Sequence, residues 1–181
     1  MAKKSNKTRP EKVWYAIALM RISLGFVFLW AFVDKLFGLG FATCRDAKTD
    51  VVTTMCSKAW VEGGSPTEGF LKFGTKGPLK DFYSGLAGNT VIDILFMAGL
   101  LLIGIALISG VATKVATISG SLLLLMMWSA TLLPENNPII DDHIIYIFAL
   151  MAILHGNDNQ KWGLKNWWSK QVIAKKLPIL K

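Results

Sequence analysis

The chain has 181 residues, 52% of them hydrophobic, and a mean hydropathy of +0.43. This length allows one domain, and the apolar fraction exceeds that of an ordinary water-soluble domain, so much of the chain is expected to face lipid. The net charge of +8 lies beside apolar segments, where it sets the orientation of a membrane protein, and does not indicate a nucleic-acid-binding protein.

Four apolar segments are candidates to cross a hydrocarbon core about 30 Å thick, which takes about 20 helical residues. We predict membrane spans at residues 14–37, 90–111, 114–133 and 139–154. The fourth is the shortest and most polar, and its alternatives are a core helix and a re-entrant segment. The predicted fold is an all-α integral membrane protein, with a four-helix domain at residues 13–155 and a long helical connection at residues 38–89.

Lysine and arginine residues cluster on one side of these spans. They are frequent in residues 1–12 and in the tail, and Lys114 begins the third span. The turn before the fourth span, at residues 134–142, has three acidic residues and no basic one. Because cytoplasmic segments are enriched in lysine and arginine, we predict that both termini are cytoplasmic and that the connection 38–89 lies outside.

The outer connection contains the pattern Ser65-Pro-Thr-Glu68, typical of a capping box with serine as N-cap and glutamate at N3. It predicts a helix at residues 66–73, followed by a glycine-bounded break and an amphipathic helix at residues 78–87. Cys44 and Cys56 lie in the same connection. Outside the cytoplasm such a pair is usually a structural disulfide, and free thiols or a redox pair are the alternatives.

The tail, residues 156–181, alternates tryptophan and aliphatic residues with lysines. This pattern favours an amphipathic helix at the headgroup interface over anionic lipid. An ordinary solvated helix is the alternative.

Asp141, Asp142 and His143 open the fourth predicted span, and Tyr146 lies one turn after Asp142 on the same face. Ionisable residues close to the bilayer usually face the protein interior or a wet cavity, which makes the first three our candidate catalytic residues. The alternative is a helix N-cap, since carboxylates complement the helix dipole.

Arg21 lies about 10 Å inside the first span by helical rise. It could reach cytoplasmic headgroups, or it could hold an anionic or carbonyl-bearing ligand such as a quinone oxygen. Lys35 and Asp93 are expected at the outer end with the Asp141 segment. These residues would form either a polar pocket beneath the connection or a structural ion-pair network.

Metal and nucleotide chemistry have little support in the sequence. His143 and His155 lie at opposite ends of one predicted helix, a spacing that indicates neither a metal site nor haem ligation. We find no flavin motif, glycine-rich phosphate loop or hydrolase triad.

Several segments of the chain resemble the DoxX family. They are Arg21-xxx-Gly25 with Lys35, and the stretches WVEGGSPTEGFLKF, KGPLKDFYSGLAG, FMAGLLLIGIALISGVATKVA and LLPENNPIIDDHIIYIFAL. The resemblance covers roughly residues 16–154, without the two-cysteine insert and the tail. The segments are most similar to the DoxX/DoxD branch of the family. The best-known activity of this branch is that of the DoxD-type subunit of thiosulfate:quinone oxidoreductase. That enzyme oxidises thiosulfate outside and passes electrons to membrane quinone.

The resemblance implies a quinone-linked oxidoreductase subunit in the cytoplasmic membrane of a prokaryote, with quinone as cofactor. Its partners would be membrane lipids and other membrane subunits. Asp142 or His143 would move protons, and Trp128 and Tyr146 would supply an aromatic wall for the quinone. The alternatives are a non-catalytic accessory subunit of a larger membrane complex and, less favoured, a small transporter, because the sequence lacks interrupted helices and repeats.

Overall fold

The computed structural model describes residues 11–134 and 137–180, which are mostly helical and contain no β-strand. Most of the predicted N-terminal segment and residues 135 and 136 of the predicted acidic turn lie outside this range. Within it the chain forms seven α-helices, which are α1 Glu11–Phe37, α2 Lys80–Ser84, α3 Thr90–Ser109, α4 Thr113–Ala130, α5 Asp142–Gly156, α6 Lys165–Trp168 and α7 Val172–Lys176.

Three helices, α1, α3 and α4, are long and apolar enough to cross a membrane, and they coincide with the first three predicted spans. Large apolar side chains such as Phe26, Leu102 and Leu122 remain exposed along them, as expected of surfaces that face lipid. The fourth predicted span is the shorter α5. It has 15 residues, begins at Asp142 rather than at residue 139, and is about 22 Å long.

Local side-chain contacts set the beginnings of two of these helices. The Asn89 side chain accepts a hydrogen bond from the backbone N–H of Val91 at 2.9 Å, which caps α3. Asp141 caps α5 in the same way through the N–H groups of His143 and Ile144. Gly110, with φ at +73°, ends α3 in the left-handed conformation that glycine adopts without steric cost.

The helices pack so that α1 lies against α3 and α5, and α4 lies against α3 and α5. Gly25 and Gly104 let α1 and α3 approach closely. A Cβ atom on Gly104 would lie 2.8 Å from the backbone nitrogen of Leu29. The buried core of this packing consists of Leu24, Phe28, Met97, Leu100, Ile103, Leu107, Ala116, Leu124, Leu150 and Ile153.

The two ends of the helix packing differ. The loop end comprises the C-termini of α1 and α4, the N-termini of α3 and α5, and the connection 38–89. The tail end comprises the opposite termini of the same helices and residues 157–180. Backbone hydrogen bonds attach the connection and the tail to the helices. One runs from Lys76 N–H to the Ala130 carbonyl at 2.8 Å, and the other from Leu164 N–H to the Ser109 carbonyl at 2.9 Å.

The connection 38–89 is stapled by a disulfide between Cys44 and Cys56, whose Cα atoms are 5.7 Å apart. The preferred expectation for the two cysteines, a bonded pair, is therefore confirmed. The connection has less regular helix than expected. The segment predicted as a helix at residues 66–73 contains a π-helical turn, Phe70–Gly74, and the second predicted helix is reduced to α2 with a preceding 3₁₀ turn, Gly77–Leu79.

The tail differs from prediction in a similar way. In place of one amphipathic helix it forms two short ones, α6 and α7. They are separated because Gln171 adopts an extended backbone conformation, with φ −70° and ψ 148°.

Candidate functional site

An apolar cavity of about 290 Å³ lies at the loop end, beneath the connection 38–89 and beside α3 and α4. We call it the Lys35 cavity, because Lys35 is the one charged residue among the described residues that line it. The rest of its wall is mainly apolar and aromatic. It consists of Pro66, Thr67, Phe70, Leu71, Phe82, Tyr83, Leu86, Ile92, Phe96, Leu123, Met126, Met127 and Ala130.

Lys35 comes from the last turn of α1 and is half-buried. Within residues 11–134 and 137–180 its ammonium group makes no hydrogen bond or ion pair. The Asp34 carboxylate attracts it electrostatically, but that carboxylate accepts hydrogen bonds from the N–H groups of Phe41, at 3.0 Å, and Ala42, at 2.9 Å. A cation among apolar walls is stabilised by an oxygen acceptor, so the cavity suits an apolar ligand that carries one.

The roof of the Lys35 cavity is held in place by Asp93, in the first turn of α3. The Asp93 side chain is buried, and its Oδ1 atom accepts hydrogen bonds from Ser65 Oγ at 2.9 Å and from Thr67 Oγ1 at 2.6 Å. It also accepts one from the backbone N–H of Thr67 at 3.2 Å. Asp93 therefore contributes to the site by fixing the segment that covers it, and this segment includes Pro66 and Thr67 of the cavity wall.

A second polar group on the wall is the phenol of Tyr83, on α2. Its hydroxyl lies 2.6 Å from Ser129 Oγ, which joins α2 to the last turn of α4. Phe82, the preceding residue, is mostly exposed. The sequence placed Tyr83 on an amphipathic segment that packs over the helices, which was the available signal, but it did not single the residue out as part of a site.

A polar cleft of about 390 Å³ also lies at the loop end, between the connection 38–89 and the start of α5. The two spaces are lined by neighbouring residues of the chain, because Leu71 and Ala130 line the Lys35 cavity while Gly74 and Thr131 line the cleft. The described residues that line the polar cleft are Gly74, Lys76, Thr131, Leu133, Pro134, Asn137, Ile140, Asp141, Asp142 and His143.

Asp141 and His143 form a close pair in the polar cleft. Asp141 Oδ2 lies 2.7 Å from His143 Nδ1, and Asp141 Oδ1 accepts the backbone N–H of His143 at 3.0 Å. A carboxylate at Nδ1 favours the tautomer with the proton there, which leaves Nε2 as the basic nitrogen. Asp141 thus caps α5, as its alternative interpretation predicted, and it also orients the imidazole ring of His143.

The other predicted site residues occupy different positions around the loop end. Asp142 is exposed and lines the cleft beside the pair. Tyr146 packs against the hydrophobic core. Trp128 Nε1 donates a hydrogen bond to the Ile139 carbonyl at 2.8 Å, which ties the end of α4 to the turn before α5. Neither aromatic residue lines the Lys35 cavity, where Phe70 and Tyr83 supply the aromatic wall instead.

Arg21 lies away from this site, towards the tail end. Its guanidinium donates to the carbonyl oxygens of Leu107 and Ile108 in α3, and of Lys161 and Trp162 in the tail. Its side chain is 1% exposed. Nη1 and Nη2 thus join α3 to the tail, whereas the buried Nε of Arg21 has no hydrogen-bond partner among the described residues.

The part of the chain that the structure describes contains no group of three or more histidine, cysteine, aspartate or glutamate side chains that could hold a metal ion. Comparisons with known proteins add no assignment. No family model, curated protein or solved structure matches this chain.

Proposed function

We propose that this chain is a DoxX-like subunit of a quinone-linked membrane oxidoreductase, and that it binds the quinone headgroup in the Lys35 cavity. The observation that carries the proposal is a cation without a hydrogen-bonding partner in the described residues, at the wall of an otherwise apolar cavity. The resemblance to the DoxX/DoxD branch supplies thiosulfate as the electron donor.

A quinone fits the chemistry of this cavity. Its ring is planar and apolar and would lie against aromatic and methionine side chains such as Phe70, Phe96 and Met127. One of its carbonyl oxygens would accept a hydrogen bond from the Lys35 ammonium. The volume of about 290 Å³ is close to the lower limit of small-molecule sites, which suits a headgroup whose isoprenoid chain extends into lipid.

Reduction of a quinone to a quinol takes two electrons and two protons. Oxidation of two thiosulfate ions to one tetrathionate ion releases two electrons, which balances the reaction. In this scheme the two protons come from solution, and His143 Nε2, on the imidazole that Asp141 orients, takes up each proton and passes it to the reduced quinone. Neighbouring residues of the chain line the polar cleft and the Lys35 cavity, so proton transfer and quinone binding would occupy neighbouring spaces.

The proposal includes a membrane arrangement. α5 crosses the bilayer together with the three longer helices, since it packs against α1 and α4 and exposes Ile145, Phe148 and Met151 along its length. The tail end faces the cytoplasm and the loop end faces outside, in the plasma membrane of a prokaryote. The basic tail and the disulfide in the connection 38–89 support this orientation.

A second candidate function is a non-catalytic accessory subunit of a larger complex. It is favoured by the structural use of Asp141 as the N-cap of α5, which explains one of the two aspartates without chemistry. The transporter alternative stays last, since α1, α3 and α4 are each continuous helices.

Purification in mild detergent, followed by mass spectrometry of bound quinones and proteins, separates these candidates. The proposed function predicts retained quinone and thiosulfate-dependent reduction of an added quinone analogue. Lys35→Met should lose quinone, and His143→Ala should keep quinone but reduce it slowly. Lys48→Met, on the exposed part of the connection, is the matched control. Stable partner proteins without quinone and without activity would establish the accessory role instead.

A further inference from the structure

Residues 157–180 fold back against the helix termini of the tail end and are fixed there by hydrogen bonds. Arg21 joins the tail backbone to α3, with 2.8 Å to the Trp162 carbonyl and 3.0 Å to the Ile108 carbonyl. Trp168 Nε1 donates to the Leu180 carbonyl at 2.6 Å, which closes the tail on itself. These contacts hold α6 and α7 in place although each is too short to be stable alone.

The surface that results is apolar and aromatic. Trp167 is 56% exposed, Val172 66% and Ile173 58%. Other large side chains of the tail that remain exposed are Trp162, Leu164, Leu177 and Ile179. So many exposed apolar side chains within one short segment indicate a surface that contacts lipid or another molecule.

The same surface carries lysines that no acidic side chain of the described residues neutralises. Asp158 is the last acidic residue of the chain. Its carboxylate lies 2.9 Å from Lys165 Nζ, and this hydrogen bond holds the pKa of the Asp158 carboxyl below its ordinary value. Lys170, Lys175 and Lys176 are exposed and form no ion pair within the described part of the chain.

We infer that this tail surface binds the headgroups of anionic glycerophospholipids. Tryptophan and aliphatic side chains favour the boundary between headgroups and acyl chains, while Lys170, Lys175 and Lys176 neutralise phosphate groups. Charge complementarity selects this occupant, since three unneutralised lysines lie beside the apolar side chains. The surface is separate from the Lys35 cavity, and its lipid preference does not depend on quinone binding.

Arg21 acts here as a positioning residue. Its buried guanidinium makes no ion pair with a carboxylate among the described residues and donates only to backbone carbonyls. Arg21 therefore fixes the orientation of the tail surface, while the lysines of that surface stay available for lipid phosphates.

The test is lipid competition on the full-length protein. Purified protein is placed in nanodiscs of phosphatidylcholine alone or mixed with phosphatidylglycerol, and the lipids that stay bound are counted by native mass spectrometry. One variant combines Lys170→Gln, Lys175→Gln and Lys176→Gln. The matched control makes the same change in charge on the connection 38–89, with Lys48→Gln, Lys58→Gln and Lys80→Gln.

The wild type and the control should both retain phosphatidylglycerol in preference to phosphatidylcholine, and salt should weaken that preference. The tail variant should lose it, by about fivefold for each lysine removed. Equal retention by the tail variant and the control would overturn the inference. A co-purified protein that shields the tail tryptophans from quenching by brominated lipids would also overturn it, because a protein would then occupy the surface.

Discussion

Thr67 Oγ1 lies 2.6 Å from Oδ1 of the buried Asp93 carboxylate, so the roof of the Lys35 cavity is hydrogen-bonded directly to the first turn of α3. The same oxygen accepts the Thr67 backbone N–H and the Ser65 hydroxyl. One carboxylate thus joins the connection 38–89 to a helix of the core. The position of the cavity wall depends on it.

Replacing Asp93 should loosen this roof. Asp93→Ala leaves the Thr67 backbone N–H without its acceptor, and an unsatisfied buried donor costs about 1–3 kcal/mol. Hydrogen exchange at residues 65–71 should speed up, and bound quinone should fall. Asp93→Asn keeps the Oδ1 acceptor and should change both less. Exchange at wild-type rates in Asp93→Ala would show that Asp93 does not hold the roof.

The two roles of Asp141 can be separated by substitution. Asp141→Ser keeps an N-cap oxygen but removes the carboxylate beside His143, while Asp141→Ala removes both. The alanine variant should lose about 0.5–2 kcal/mol of stability, and the serine variant little. Both should reduce quinone slowly. If the serine variant keeps full activity, Asp141 serves as a cap alone.

The close approach of α1 and α3 predicts a steric effect at Gly104. Gly104→Ala places a Cβ atom 2.8 Å from the Leu29 nitrogen, which forces the helices apart and should destabilise the protein by about 1–3 kcal/mol. Gly99 lies on the same helix, and a Cβ there meets no atom within 4 Å. Gly99→Ala should therefore not lower the thermal unfolding temperature in detergent, because it adds no clash and alanine favours the helix. Equal temperatures for the two variants would contradict this packing.

Reduction of the Cys44–Cys56 disulfide should destabilise the connection 38–89. Closing a loop of this length contributes about 2–4 kcal/mol in comparable proteins. A reducing agent should lower the thermal unfolding temperature of the wild type and have no effect on a variant with both Cys44→Ser and Cys56→Ser. A wild type that unfolds at the same temperature with and without reductant would count against this role.

Features set by local sequence were predictable. The three long helices follow from long, mainly apolar runs, and Ser65 accepts the Glu68 N–H at 3.1 Å as an N-cap should. The predicted capping box is incomplete, however, because the Glu68 side chain pairs with Lys72. The Ser65 hydroxyl also bonds to Asp93, which is 28 positions away, and no local pattern indicates this.

The position of Arg21 was unpredictable for the same reason. Its partners lie 86 to 141 positions along the chain and are backbone carbonyls, which have no signature in a sequence. The Lys35 cavity likewise combines residues of α1, α2, α3, α4 and the connection 38–89. Sequence indicated which end of the helices gathers polar residues, but not that an apolar cavity and a polar cleft lie there side by side.

The most direct test of quinone binding in the Lys35 cavity is photolabelling with an azido-quinone, followed by peptide mass spectrometry. The label should appear on peptides that contain Phe70, Tyr83 or Met127, and an excess of unmodified quinone should suppress it. Lys35→Met should abolish it, and Lys48→Met should not. A label that is absent from these peptides, or that Lys35→Met leaves unchanged, would contradict the proposed site.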